Sequence, residues 1–173
     1  MLGEFSSFGS LMAIRNEKKD IIDPSHGNKI VVKDAENTVP DQILLQGVVD
    51  SGAPISIHYR GGPTFPGTPN MQWWIQGSKG ELHLKSSSWS LNVGREDTKV
   101  ELFDKETGMV EEVKVERDEW DELPVPAQNI ARLYEAFRKG EWVPGFERAV
   151  ERHEMLEEMW RRFDKRQAPG KTA

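Results

Sequence analysis

The spacing of apolar residues changes near Pro126, and this change limits the folds that the chain can adopt. Before Pro126, short apolar runs alternate with polar residues, which is typical of half-buried β-strands. After it, apolar residues recur at intervals of three and four, as they do along one side of a helix. Strands followed by helices predict an α+β fold, in which an antiparallel or mixed sheet has helices packed on one of its faces.

Turn residues divide the strand-like region into short segments. Hairpins are predicted where the turn is short, at Asp50–Ala53 and at Gly77–Gly80. Residues 61–69 hold so much glycine and proline that they predict a loop. Strands are predicted at Glu4–Ile14, Lys29–Lys33, Gln42–Val49, Pro54–Arg60, Met71–Gln76, Glu81–Lys85, Trp89–Val93, Lys99–Phe103 and Val110–Val115.

Two helices are predicted after Pro126. The first carries Ile130, Leu133, Tyr134 and Phe137 at helical spacing and ends at Gly140. The apolar stripe of the second is predicted to be Phe146, Val150, His153, Leu156, Trp160 and Phe163. Because His153 lies on this stripe, we expect it to be buried and bonded to a backbone carbonyl, the alternative being a proton donor that faces a pocket. One domain over residues 1–166 and a disordered tail over residues 167–173 are expected.

Composition argues against nucleic acid and membranes as partners. The formal net charge of the 173 residues is -6, whereas binding to nucleic acid needs clustered cations that neutralise phosphates. Arg161, Arg162, Lys165 and Arg166 do cluster, but at the C-terminal end of the second helix, where cations complement the helix dipole. No apolar run is long enough to span a membrane, and the first residues lack the features of a signal peptide. A cytoplasmic protein is therefore expected.

Motifs for cofactors and metals are missing from the sequence. Neither the Gly-x-Gly-x-x-Gly fingerprint nor a phosphate-binding loop occurs, so we predict that the chain does not bind NAD(P) by itself. There is no cysteine, His153-Glu154 has Glu157 where a zinc-binding helix would have histidine, and the acidic stretch 111–122 lacks the spacing of a calcium loop. No cofactor and no metal are predicted.

The strand Ser56–Arg60 holds the most suggestive polar residues. With a period of two, Ser56, His58 and Arg60 lie on one of its faces. We interpret His58 as an acid/base catalyst and Arg60 as the residue that orients a substrate oxygen, and Ser56, Gln46, Trp73 and Trp74 as substrate-binding residues. Trp73 and Trp74 point to opposite sides of the next strand, so one of them could line a pocket with His58. A polar sheet face without a ligand, or a contact between subunits, is the alternative.

Several segments together resemble a known family. They are Leu2–Ser7, Asp41–Gly47, Ile57–Gly62, Trp74–Leu82 and the helical segment Phe146–His153. From Leu2 to about Phe163 the chain resembles the C-terminal domain of Gfo/Idh/MocA oxidoreductases, in particular their fungal Gal80-like branch. The resemblance implies a large open sheet with helices on one face, dimerisation through the other face, and a substrate site where this domain meets a nucleotide-binding domain. It also implies that the family's catalytic lysine, histidine and acid lie in regions with no counterpart among these residues.

Three functions remain open from the sequence. The first is a cofactor-independent cyclase, isomerase or lyase that binds a small organic ligand and uses His58 and Arg60. The second is a non-catalytic, Gal80-like regulatory or dimerisation module, and the third is part of an NAD(P)-dependent oxidoreductase. In each case we expect a homodimer formed through the sheet face.

Overall fold

The computed structural model of the chain describes residues 2–88, 97–114 and 118–167. All the strand pairs described are antiparallel, and both helices follow the strands, which confirms the predicted α+β class. The strands are β1 Phe5–Ala13, β2 Lys18–Asp23, β3 Lys29–Glu36, β4 Gln42–Val49, β5 Pro54–Arg60, β6 Met71–Gln76, β7 Gly80–Ser86, β8 Lys99–Asp104 and β9 Val110–Glu112. The helices are α1 Val125–Lys139 and α2 Phe146–Gln167, and single 3₁₀ turns occupy Pro24–His26 and Glu119–Glu122.

The chain folds as two compact units. The first comprises residues 1–62 and 145–173, and the second comprises residues 63–144. The strands described form three hydrogen-bonded sheets, ordered β1-β4-β5, β2-β3 and β6-β7-β8-β9. The expected boundary of one domain at residue 166 stays a prediction. The strand expected at Trp89–Val93 and the tail after Gln167 lie outside the described residues.

The core of the first unit lies between its three-stranded sheet and α2. Along β4 the side chains alternate, so that Leu45 and Val49 are buried while Leu44 and Gln46 are exposed. Leu45 and Met12 of β1 pack against Met159 and Phe163 of α2. The helix therefore covers one face of this sheet, and we call the other face the open face; its side chains are Leu11, Gln42, Leu44, Gln46, Val48, Ser56, His58 and Arg60.

The side of α2 that meets the sheet differs from the predicted stripe. Met155, Met159 and Phe163 make the contact, whereas Phe146 is 89% exposed and His153 is also exposed. The prediction of a buried His153 is therefore wrong. Apolar residues cover a wide arc of α2, and the flexible methionine side chains, which the predicted stripe left out, fill the space above the sheet.

Strands β2 and β3 form a two-stranded ribbon between β1 and β4. The sequence predicted β3 but not β2, because Lys18–Asp23 is mostly charged. The turn between the two strands is as expected: the Asp23 carboxylate accepts a hydrogen bond from the Ser25 N–H at 2.9 Å, and Gly27 has φ of 67°.

Hairpin turns and polar contacts organise the second unit. β6 pairs with β7 across the predicted hairpin at Gly77, and β8 pairs with β9 as predicted. Helix α1 ends at Gly140, which has φ of 71°, a conformation that favours glycine. On α1, Arg132 donates hydrogen bonds to Asp118 and Asp121. They are the main cause of the lowered pKa of Asp118, whereas the pKa of Asp121 is lowered mainly by the hydrogen bond from the backbone N–H of Asp118 and next by Arg132. Among the described residues, no helix is both long and apolar enough to cross a membrane.

Candidate functional site: the open face of the first sheet

Strand register places four of the predicted site residues on the open face. Gln46 on β4 lies directly opposite Ser56 on β5, and His58 lies opposite Leu44. Arg60 lies opposite Gln42 at the end of β5. Because residues opposite each other in an antiparallel pair share a face, Gln46, Ser56, His58 and Arg60 belong to one surface. The sequence predicted a shared face for Ser56, His58 and Arg60, and the structure adds Gln46 to it.

A shallow depression lies beside Gln46 and Ser56. Gly9 on β1 faces Gln46 across the β1–β4 pair. In the described part of the chain, no other heavy atom lies within 4 Å of the place where a Cβ of residue 9 would be. The missing side chain leaves a gap in the row Gly9–Gln46–Ser56. The depression has a volume of about 690 Å³, and its lining residues are Ser7, Phe8, Gly9, Gln46, Gly47, Val48, Pro54, Ile55 and Ser56.

The backbone around Arg60 is held by Asp41. The N–H of Gly61 donates to the Asp41 carbonyl at 2.6 Å, and a Cβ on residue 61 would stand 3.1 Å from the Cβ of Asp41. A side chain at position 61 would therefore crowd the start of β4. This close approach fixes the end of the strand that carries His58 and Arg60.

His58 and Arg60 are exposed side chains, and neither lines the depression. In open water a general base or an oxyanion partner has little of the electrostatic advantage that it has in a closed site. The amide of Gln46 and the hydroxyl of Ser56 can each donate and accept hydrogen bonds. The open face is therefore suited to bind polar groups between aliphatic side chains, and the catalytic roles of His58 and Arg60 stay predictions.

The two tryptophans of the predicted site belong to the second unit. Trp73 is half-buried opposite Leu84. Trp74 is 52% exposed and stacks on the imidazole of His83, with ring centroids 4.8 Å apart and planes 5° apart. That one of them lines a pocket with His58 stays a prediction.

His83 is a residue of interest that sequence reasoning missed. Its Nδ1 lies 3.4 Å from Glu101, and its Nε2 is buried and has no hydrogen-bond partner among the residues that the structure describes. Lys85 donates to Glu101 at 2.8 Å, and this hydrogen bond lowers the pKa of that carboxyl group. The sequence could have indicated the Trp74–His83 pair, because a hairpin with its turn at Gly77–Gly80 sets Trp74 directly opposite His83.

Comparison with known proteins relates the chain to Gal80p. Residues 1–86 match the family model of the Gal80p C-terminal domain. A search of curated proteins finds no significant match. Among solved structures, the transcriptional regulator Gal80p of Kluyveromyces lactis is 19% identical, with a TM-score of 0.70 over 95% of this chain. Two super-repressor mutants of Saccharomyces cerevisiae Gal80p give TM-scores of 0.67 and 0.62 at 19% and 18% identity, each over 92% of this chain.

The chain spans only 42% of the length of each of these Gal80p structures. Because the sequence identities are below 20%, the structural likeness establishes only the fold. The match to the family model covers residues 1–86. Both findings agree with the resemblance that the sequence motifs indicated. Over residues 1–86 the chain belongs to the family of Gal80p C-terminal-like domains, and its described residues follow the Gal80p fold.

Proposed function

We propose that the chain is a non-catalytic, Gal80-like assembly module that forms a homodimer through the open face. One observation carries the proposal: α2 covers one face of the β1-β4-β5 sheet, while the opposite face exposes aliphatic side chains among amides. Leu11 and Leu44 lie opposite each other and are 45% and 43% exposed, and Val48 is 38% exposed. A cytoplasmic location, expected from the sequence, belongs to the proposal.

The mixed character of the open face suits contact with a second copy. Leu11, Leu44 and Val48 supply apolar area, and because each leucine is already more than half buried, burying the remainder contributes roughly 1 kcal/mol per leucine. Gln46 and Ser56 supply hydrogen-bonding groups beside them. A two-fold axis through this surface would set each patch against its own copy, which is the commonest arrangement in soluble dimers. One of the solved structures that resemble this chain is described as a transcriptional regulator.

Replacing Leu44 by glutamate tests the assembly role. Because a charge at position 44 would have to be buried in the proposed interface, Leu44→Glu should raise the dimer dissociation constant by more than about 30-fold, which corresponds to about 2 kcal/mol. Sedimentation equilibrium measures this constant. Val39→Glu is the matched control, because Val39 is 56% exposed and lies outside the open face. A wild-type chain that is monomeric at micromolar concentration, or a Leu44→Glu variant as dimeric as Val39→Glu, would refute the proposal.

The depression favours a second candidate function, in which the open face binds a small organic ligand for cofactor-independent chemistry. Gln46 and Ser56 would hold the ligand, His58 would move a proton, and Arg60 would orient an oxygen. Ser56→Trp fills the depression, whereas Thr38→Trp, at an exposed position before β4, does not. Thermal shift assays with small hydroxy acids and keto acids should then show stabilisation of the wild type and of Thr38→Trp only. Equal shifts for all three proteins would count against this site.

A third candidate, which comes from the resemblance to Gfo/Idh/MocA oxidoreductases, is that the chain works as part of a larger NAD(P)-dependent enzyme. The chain spans 42% of the length of the Gal80p structures, which is compatible with a larger protein. The reading frame around the coding sequence tests this candidate directly. An in-frame dinucleotide-binding domain upstream of residue 1 would support it, and a stop codon there would oppose it.

A further inference from the structure

We propose that the outward side of helix α1 is a docking surface for α1 of a second copy, with the two helices antiparallel. This surface belongs to the second unit and shares no residue with the open face of the first. The proposal therefore does not rest on the assembly role of the open face.

Polar contacts fix the rotation of α1 about its axis. Arg132 donates to Asp118 through Nε at 2.8 Å and through Nη2 at 2.7 Å, and to Asp121 at 2.8 Å. Gln128, which is buried, donates to the backbone carbonyls of Asp121 and Leu123 at 3.2 and 3.0 Å. The side of α1 that carries Gln128 and Arg132 is thereby bound to the 3₁₀ turn Glu119–Glu122.

The opposite side of α1 is apolar and exposed. At 100° per residue, Ile130, Leu133, Tyr134 and Phe137 lie on the side away from Gln128 and Arg132. Their exposures are 51%, 41%, 70% and 72%. Amphipathic helices in globular proteins normally turn their apolar side inward. The polar contacts of Gln128 and Arg132 instead turn the apolar side of α1 outward. We therefore expect this side to be covered by a partner from outside the unit.

Charge at the two ends of α1 favours a second copy as that partner. The chain just before the helix carries Glu119 and Glu122, both exposed. The last turn carries the exposed Arg138 and Lys139, which share one ion-pair partner, Glu135 of the same helix, so that these three residues keep a net positive charge. When two copies pair antiparallel, the basic end of each helix approaches the acidic end of the other. The two helix dipoles are then antiparallel, which is the favourable arrangement for helices that lie side by side. A parallel pair would instead bring like charges together at both ends.

Cysteine cross-linking tests the contact, because the chain has no cysteine of its own. Tyr134→Cys places a single thiol on the outward side, and Lys139→Cys places one on the opposite side as a control. With a short bis-maleimide reagent at micromolar protein, we expect Tyr134→Cys to give a covalent dimer and Lys139→Cys to give little. Absence of a dimer from Tyr134→Cys, or equal yields from both variants, would overturn the proposal. The same cross-linking is repeated with Tyr134→Cys combined with Leu44→Glu. Because Leu44→Glu weakens dimerisation through the open face, a covalent dimer formed by this double variant reports on the α1 surface.

A charge exchange tests the antiparallel arrangement. Combined with Tyr134→Cys, an all-acidic form carries Arg138→Glu and Lys139→Glu, and an all-basic form carries Glu119→Lys and Glu122→Lys. Each form alone should cross-link at least about 5-fold more slowly than Tyr134→Cys, and a mixture of the two should recover the rate, because opposite charges then meet at both ends. No recovery in the mixture would exclude the antiparallel pair. Circular dichroism verifies that each form keeps its helix.

Discussion

The carboxylate of Asp41 connects three segments of the first unit. Its side chain is completely buried and accepts hydrogen bonds from the N–H groups of Arg15 and Asn16 at 3.0 and 2.7 Å, and from the Asn16 amide at 2.7 Å. The backbone N–H of Asp41 donates to Ala13, and its carbonyl accepts from Gly61. One residue thus joins the end of β1, the base of the ribbon and the end of β5, beside Arg60 of the candidate site.

Asp41 should make stability fall in acid. Burial alone would raise the pKa of Asp41, but the hydrogen bonds from Asn16 and Arg15 outweigh it and lower the pKa below the ordinary 3.8. The stabilisation is then fully present above about pH 4 and is lost as pH falls through the lowered pKa of the folded state. Urea unfolding between about pH 7 and pH 2 should show this loss in the wild type and less of it in Asp41→Asn.

Asp50→Asn serves as the control for this measurement, because Asp50 is an exposed aspartate at the turn after β4. Its pH dependence should follow that of the wild type. If Asp41→Asn lost as much stability in acid as the wild type, the carboxylate would not be the group responsible.

At the scale of elements, the faces of the strands were more predictable than the faces of the helices. Alternation along β4 and β5, with the hairpin turn between them, was enough to put Gln46, Ser56 and His58 on one surface, because a period of two leaves only two choices. In α2 the apolar residues span a wide arc, so that periodicity located the helix but not the side that meets the sheet. The contribution of Met155 and Met159 depends on the space above Leu45 and Met12, which only packing reveals.

Two phenylalanines of α2 test which side of that helix is the core side. Phe163 is 5% exposed and Phe146 is 89% exposed. Phe163→Ala should lower the free energy of unfolding by roughly 3–5 kcal/mol, because it leaves a cavity against the sheet. Phe146→Ala should change it by less than about 0.5 kcal/mol. Chemical denaturation of both variants measures the difference, and equal losses would mean that the helix packs on its other side.

For the whole molecule, net charge opposes the association of two copies, whereas exposed apolar surface favours it. Each copy has a formal net charge of -6, so two copies repel each other at low ionic strength. The open face carries Leu11, Leu44 and Val48, whose burial does not depend on salt screening. The sequence alone could not predict which apolar surfaces stay exposed. Their exposure depends on tertiary contacts, such as the hydrogen bonds that Arg132 makes from α1.

Salt should therefore strengthen association through the open face. Raising NaCl from about 0.05 M to about 0.5 M screens the repulsion between copies, and the dissociation constant should therefore fall. Sedimentation of Tyr134→Ser, in which the α1 surface is weakened, isolates the open face from the charged ends of α1. A dissociation constant that rises with salt in this variant would mean that ion pairs, rather than the aliphatic side chains, drive the association.

The ribbon between β1 and β4 has a consequence for how the first unit reaches its fold. Pairing Ala13 with Gln42 closes a loop of about 28 residues, whereas a preformed β2–β3 hairpin leaves only the short connections at its base to be closed. Since closure entropy grows with the logarithm of loop length, the hairpin reduces the cost of that step by roughly 1 kcal/mol. A local element that contributes nothing to the buried core can thus speed the search for the longest-range pairing in the sheet.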